Sequence, residues 1–178
     1  MADLKSVFEK IRDIDLKLPP DEYVSNILTV IYSALSYHKA LSVVFDESGS
    51  PSVFYSNEGL APSEMFRDAS VGIAGAARDI KRTMILRSGG RITLPAGMKM
   101  CVSLPLSFGK DIIGAAVLYG FEKEALPDEE IEFLEQLSAL IAFTSIKNQY
   151  MKEARNRDAK LDDNGLNSIM DNISRKVL

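Results

Sequence analysis

The sequence predicts an α+β domain, an antiparallel sheet flanked by helices from both halves of the chain. Three observations lead there. Apolar residues recur every three or four positions near both ends, as at Leu4, Val7 and Ile11 and at Ile131, Leu134 and Leu137, which is the period of helices. Between them the period falls to two, at Leu41, Val43 and Phe45 and again at Met100, Val102, Leu104 and Leu106, which is that of strands. Turn-forming residues at Asp46-Glu47-Ser48-Gly49-Ser50-Pro51 and at Gly109-Lys110 join neighbouring strands, so the pairing they predict is by antiparallel hairpins.

The first element reads as a coiled-coil-like helix over residues 1–19. Leu4, Val7, Ile11, Ile14 and Leu18 are spaced three, four, three and four, with Lys, Glu, Arg and Asp between them. Pro19-Pro20 ends it. So short a helix is marginal alone, so its seam needs a partner. A second helix is expected from Asp21, as N-cap, to Tyr37, with Val24, Ile27, Leu28, Ile31 and Leu35 as its stripe. The first strand follows at Leu41, and Ser52 to Ser56 returns as its hairpin partner.

From Asn57 to Ser70 the chain reads as mostly loop. Helical spacing then places Ile73, Ala77, Ile80 and Met84 on one face of a helix from Val71 to about Arg87. Gly72, Ala74, Gly75 and Ala76 make its first turns slim enough for close approach to a sheet or ligand, and Ser88-Gly89-Gly90 supplies its stop. Arg91 to Pro95 is expected as a short edge strand. Met98 to Phe108 and Asp111 to Phe121 form the second hairpin. In its second strand Ile112-Ile113-Gly114-Ala115-Ala116-Val117-Leu118 is apolar on both faces, as in a strand covered on both sides.

The last main helix begins at Pro127-Asp128-Glu129-Glu130, where proline and acids suit an N-terminus. Ile131, Leu134, Leu137, Leu140 and Ile141 form its stripe, and Ala139, Ala142, Phe143 and Ile146 spread apolar surface further round. That surplus asks for a second partner beyond the sheet. Residues 152–178 read as a polar linker and a short amphipathic tail at Leu166, Ile169, Ile173 and Val177.

Composition narrows the chemistry. The chain has 178 residues, 46% apolar and 26% charged, in the range of globular domains. Its longest apolar run, Ile112 to Tyr119, is far below the roughly 20 residues of a membrane-spanning helix. With no signal pattern at the start, a cytoplasmic protein with no membrane partner is expected. A formal net charge of −4 gives no electrostatic reason to bind nucleic acid. Cys101 and His38 are the single residues of their kinds, too few for an intrachain disulfide or a Cys/His zinc site of four ligands. No Gly-x-Ser-x-Gly turn accompanies a serine. His38 is expected to be exposed between helix and strand, and Cys101 to fill a strand as a small hydrophobe.

Three stretches, in this order and spacing, carry a family resemblance: Gly72-Ile73-Ala74-Gly75-Ala76-Ala77, Val102-Ser103-Leu104-Pro105-Leu106 and Ile113-Gly114-Ala115-Ala116-Val117-Leu118. With the closing-helix start Leu126-Pro127-Asp128-Glu129-Glu130-Ile131-Glu132-Phe133-Leu134, the chain resembles the GAF family of sensory domains over residues 20–151. The resemblance implies a five- to six-stranded sheet with terminal helices on one face and a pocket closed by loops and the middle helix on the other. It also implies a regulatory signal-transduction role, dimerisation through the terminal helices, and a downstream output domain.

The patterns of the ligand-specific branches are missing. The Asn-Lys-x-Phe-Asp-Glu signature of cyclic-nucleotide-binding members is absent, and Cys101 is followed by Val102 where a bilin-attaching cysteine is commonly followed by His. The sulfoxide-reducing members use several cysteines, and His38 is poorly placed for haem. No haem, bilin or zinc is therefore expected.

The residues expected near a small-molecule ligand are Phe45, Tyr55, Arg78, Met84, Met98, Met100 and Tyr119, with Lys81 and Arg82 as further cations for an anionic ligand. Those expected at a homodimer interface are Leu4, Val7, Ile11, Ile14, Leu18, Phe143 and Ile146. A sensor that binds a small molecule, dimerises, or both is the leading expectation. A ligand-free structural dimerisation module is the alternative, and a small stand-alone enzyme the remote one, because no nucleophile–base pair or metal cluster is visible in the spacing.

Overall fold

The computed structural model describes residues 3–57, 63–121 and 126–154, with side chains as far as Lys147. Its sheet consists of β1 (Lys39–Phe45), β2 (Pro51–Ser56), β3 (Met84–Arg87), β4 (Met100–Phe108) and β5 (Asp111–Gly120). All the pairings are antiparallel, and the order is β2-β1-β5-β4-β3. The helices are α1 (Leu4–Arg12), α2 (Pro20–Ala34), α3 (Glu64–Ile80) and α4 (Asp128–Ala154). This is the α+β architecture that the hairpins and terminal helices predict.

The strand apolar on both faces, β5, sits at the centre of the sheet, and its residues from Gly114 to Gly120 are all buried. Side chains on one face belong to a core with α1, α2 and α4, among them Ala40, Val44, Tyr55, Met100, Val102, Leu104, Ala116 and Leu118. Those on the other, including Leu41, Val43, Phe45, Cys101, Ala115, Val117 and Tyr119, form a separate core under α3 with Phe66, Ile73, Ala74 and Ala77. Gly114 is where β1 approaches closest: a Cβ there would run into the Val43 carbonyl.

α4 explains its own surplus of apolar residues. It lies between β4 and α2, so Phe133, Leu134, Leu137, Leu140, Ile141, Ala142 and Ile146 are all buried although they are spread around the cylinder. Thr144 and Ser145 sit among them by donating their hydroxyls back to the carbonyls of Leu140 and Ile141, at 2.9 and 2.8 Å. At the start of α4 the Tyr37 hydroxyl donates to Glu130 Oε1 at 3.0 Å, a buried bond that ties the helix to the entry of β1. Burial, then the Glu130 charge, push the Tyr37 phenol far up, so it stays the donor.

Several expectations are corrected. The first helix ends at Arg12, well before Pro19, and Asp13 to Leu18 turn instead of continuing it. Its seam finds its partner inside the chain. Val7 and Ile11 are buried in the core shared with α2, and Leu4, Ile14, Leu18 and Phe143 pack half-buried against that core. The second helix takes Pro20 and Asp21 into its first turn, with no side-chain cap from Asp21, and it stops at Ala34, short of Tyr37. The middle helix begins at Glu64 and closes at Lys81, whose φ of 57° is left-handed. Met84 therefore lies on a strand, the edge strand is β3, and residues 91–95 pair with nothing as strand. The apolar set over Leu166, Ile169, Ile173 and Val177 lies outside the described residues.

The two glycines at the start of the small-residue stretch do not make the close approach expected of them. Ala74 and Ala77 do, fully buried against the sheet, whereas a Cβ on Gly72 or Gly75 would meet no neighbour within 4 Å. Gly72→Ala is thus expected to raise stability by about 0.5–1 kcal/mol, by restricting the unfolded chain at no steric cost. Gly114→Ala should lower it by on the order of 3 kcal/mol, because the strand pair must part to admit the methyl group. Urea unfolding curves of the two variants, read against the parent chain, check both signs.

Candidate functional site

The site is built by strand parity. Residues paired across an antiparallel ladder point to the same side of the sheet, so Tyr119, Lys39 and Cys101 share a face, as do Val117, Leu41 and Ser103. That face lies beneath α3, whose stripe of Phe66, Ser70, Ile73, Ala74 and Ala77 is buried on it. A turn of α3 with Ser and Ala at the contact lets the helix lie close, with Phe45 at one end and Tyr119 and Phe66 at the other.

At that end Tyr119 is the organising side chain. Its hydroxyl and the Ser70 hydroxyl lie 2.9 Å apart, a buried hydrogen bond between sheet and helix. The Phe66 ring meets the Tyr119 ring edge to face at 5.1 Å. The Lys39 ammonium lies 5.4 Å from the centre of the Phe66 ring, which brings a buried cation to the same corner. Burial, followed by the nearby Cys101, pushes the Tyr119 phenol up, against the opposing pull of Ser70. Burial also pushes the Cys101 thiol up, which removes it as a nucleophile at neutral pH. Further along β4, Ser103 is fully buried on this face and its hydroxyl makes no hydrogen bond. Tyr23 and Ser42 carry the other two such hydroxyls found, and Ser42 lies on the opposite face of the sheet.

At the far end Arg78 closes α3 onto the β1–β2 hairpin. Its guanidinium stacks over the Phe45 ring at 4.6 Å and donates from Nη1 to the Gly49 carbonyl at 3.3 Å. Its Nε also lies 3.5 Å from Asp79. Asp46 shapes the hairpin that Arg78 grips. One carboxylate oxygen accepts from the Ser48 hydroxyl at 2.6 Å and from the amides of Ser48 and Ser50 at 2.9 and 3.0 Å. Those bonds, the Ser48 hydroxyl first, hold the Asp46 carboxyl below its usual range.

The residues expected around a ligand divide between the two faces. Phe45 and Tyr119 are in the core beneath α3, Met84 and Met98 pack half-buried against it, and Arg78 seals its edge. Tyr55 and Met100 are on the other side, in the core of the terminal helices. Met100 is one residue from Cys101 and Tyr55 is the ladder partner of Ser42, so parity turns both away from Tyr119. Lys81 and Arg82 are exposed beyond the helix end. Phe66, Ser70, Lys39 and Ser103 belong to this face as well, beyond the residues that the sequence pattern marks. The segment before Val71 reads as loop, which hides Phe66 and Ser70, while the parity that puts Ser103 with Tyr119 is visible once the hairpin register is fixed.

His38 is exposed, as expected, and its Nδ1 accepts the Phe121 amide at 3.2 Å. Among the described residues no three His, Cys, Asp or Glu side chains gather as metal ligands, and no helix is long and apolar enough to cross a membrane.

An antiparallel sheet with terminal helices on one face and a middle helix across the other makes a three-layered α+β module. The GAF domain model matches residues 19–144, and the chain belongs to that family, whose members are generally regulatory, ligand-binding domains. The fold is similar to that of the GAF domain of an Acinetobacter phosphoenolpyruvate-protein phosphotransferase, at 12% identity and TM-score 0.66, covering 85% of this chain and 95% of that one. It is also similar to the free methionine-R-sulfoxide reductase of Neisseria meningitidis, solved with its substrate, at 13% identity and TM-score 0.61 over 84% and 89%. A third similar structure is the phycoerythrobilin-bound GAF domain of a cyanobacterial phytochrome, at 15% identity and TM-score 0.58 over 84% and 98%. A search of curated proteins by sequence finds no significant match.

Tyr119→Phe should cost about 1–3 kcal/mol, since it leaves the buried Ser70 hydroxyl without its partner. Adding Ser70→Ala should recover part of that loss, which a double-mutant cycle in denaturant measures. Asp46→Asn tests the hairpin. A carboxyl held low in the folded state stabilises at pH above its unfolded value of about 4, and that contribution is lost as pH falls through the lowered folded value. Thermal midpoints of parent and variant should therefore differ at neutral pH and converge in acid.

Proposed function

We propose that this chain is a regulatory sensor domain that holds a small molecule between α3 and the sheet and passes its occupancy to the terminal helices. One observation carries the reading. The sheet separates two cores, and the one beneath α3 contains a buried hydroxyl, Ser103, with no partner of its own, on the same face as the Tyr119–Ser70 pair. A buried polar group left unsatisfied costs about 1–3 kcal/mol, so its retention favours an interior that meets something else.

The reading is of a binding module and not an enzyme. The thiol and phenol in the site are held protonated, and the hydroxyl pair is bonded to itself. That the sulfoxide reductase shares the fold adds no activity here, because this chain has one cysteine. Haem, bilin and zinc have no part in the proposal, nor do nucleic acid or a membrane, and the setting proposed is cytoplasmic.

We also propose a homodimer and an output domain or partner downstream of α4. Because Val7 and Ile11 are committed to the chain's own core, the outer surface of α2 and of the turn that leads into it, where Tyr32 and Leu16 are 40% and 45% exposed, becomes the surface offered to the second copy. Native mass spectrometry of freshly purified chain reports subunit count and retained mass together. Two chains with a reproducible extra mass are expected. Bare chains that also show no thermal shift across a library of small metabolites would overturn ligand binding, and monomers at micromolar concentration would overturn the dimer.

A further inference from the structure

Charge is distributed unevenly along this chain. From Lys81 to Lys110 it carries Lys81, Arg82, Arg87, Arg91, Lys99 and Lys110 and no acidic residue, within a chain of formal net charge −4. That stretch contains β3, which pairs with β4 on one side and ends the strand order on the other. Its residues alternate between half-buried and exposed, with Ile85 40% exposed.

The main chain of this edge points outward at a definable place. The Ser88 amide donates to the Lys99 carbonyl at 2.9 Å, so the alternation of an antiparallel ladder turns Leu86 and Met84 toward β4 and Ile85 away from it. Lys81 and Arg82 stand before the strand, and Arg87 ends it. Among the described residues, Lys81, Arg82, Arg87 and Arg91 form no ion pair.

Cations on an edge strand oppose pairing with a second copy of the same edge, because that copy brings the same charges. They attract a strand of opposite charge. We propose that the open edge of β3 is a docking site for an extended acidic segment of a partner protein, which adds to the sheet beside Ile85. Main-chain bonds to Ile85 would fix the segment, an apolar side chain would cover Ile85, and carboxylates would meet Arg82 and Arg87. The ladder geometry and the exposed isoleucine favour a peptide over a nucleic acid, since no aromatic residue stands on β3 for bases to stack upon.

The test is an NMR titration of the isotope-labelled full chain with a short capped peptide of alternating glutamate and valine. Expected are amide shifts centred on residues 84–87 that weaken with added salt. Arg82→Glu with Arg87→Glu should lower the affinity tenfold or more. Ile85→Pro should abolish binding, since proline at an outward edge position removes the donor without touching the β3–β4 ladder. If that variant fails to fold, the surface charge reversals still decide the matter. Absent shifts at β3, shifts confined to the face around Tyr119, or equal binding of a lysine–valine peptide would overturn the proposal. So would tighter binding of single-stranded oligothymidylate or of phosphatidylglycerol vesicles at the same edge.

Discussion

Covering β5 on both faces is the constraint on which the rest of this molecule depends. A central strand with Ala115, Val117 and Tyr119 on one side and Ala116 and Leu118 on the other is stable only if both sides are shielded from water. The terminal helices shield one side and α3 the other. Small residues on β5 let each layer lie close, and Gly114 admits β1 at a distance that no side chain would allow. The two cores are therefore separate by geometry, and β5, which sends side chains into both, is the element that joins the one under α3 to the one that holds the terminal helices.

α4 has the same double duty on a smaller scale. It is sandwiched between β4 and α2, and its apolar residues run around its circumference because neither neighbour alone would bury them. With α1 packed on α2, the terminal helices act as a layer of their own. The Tyr37–Glu130 bond fastens this layer to the sheet, joining the start of α4 to the entry of β1.

Most of this was legible in the sequence where a pattern had one period and one partner. β1, β4, β5 and α4 follow their apolar spacing, and the hairpin turns set their pairing. Reading failed where the period did not change at the boundary. Ile80 and Met84 are four apart and suit one helix face, yet Lys81 turns left-handed between them and Met84 belongs to β3. Glu64 to Ser70 offered too few apolar residues to declare a helix, since Phe66 is the large one that it buries. The seam on α1 was visible, but a stripe states only that it needs an apolar partner, and α2 of the same chain supplies it. For the candidate site, alternation shows which residues share a face and not which layer covers that face, so it does not set Tyr119 and Phe45, beneath α3, apart from Tyr55 and Met100, in the core of the terminal helices.

The fastening of α3 has a mechanical consequence. One end is pinned inside the protein by the Ser70–Tyr119 bond, and the other is held at the surface by Arg78 against Phe45 and Gly49. Ten residues separate Ser70 from Ile80, a helical span of about 15 Å. A displacement of this rod is thus a swing about an inner pivot, smallest at Tyr119 and largest where the chain leaves the helix for β3. Once the Arg78 contacts let go while the Ser70–Tyr119 bond holds, a small rotation at the pivot moves the Ile80 end several times as far, and the first thing that end carries is an edge strand of the sheet.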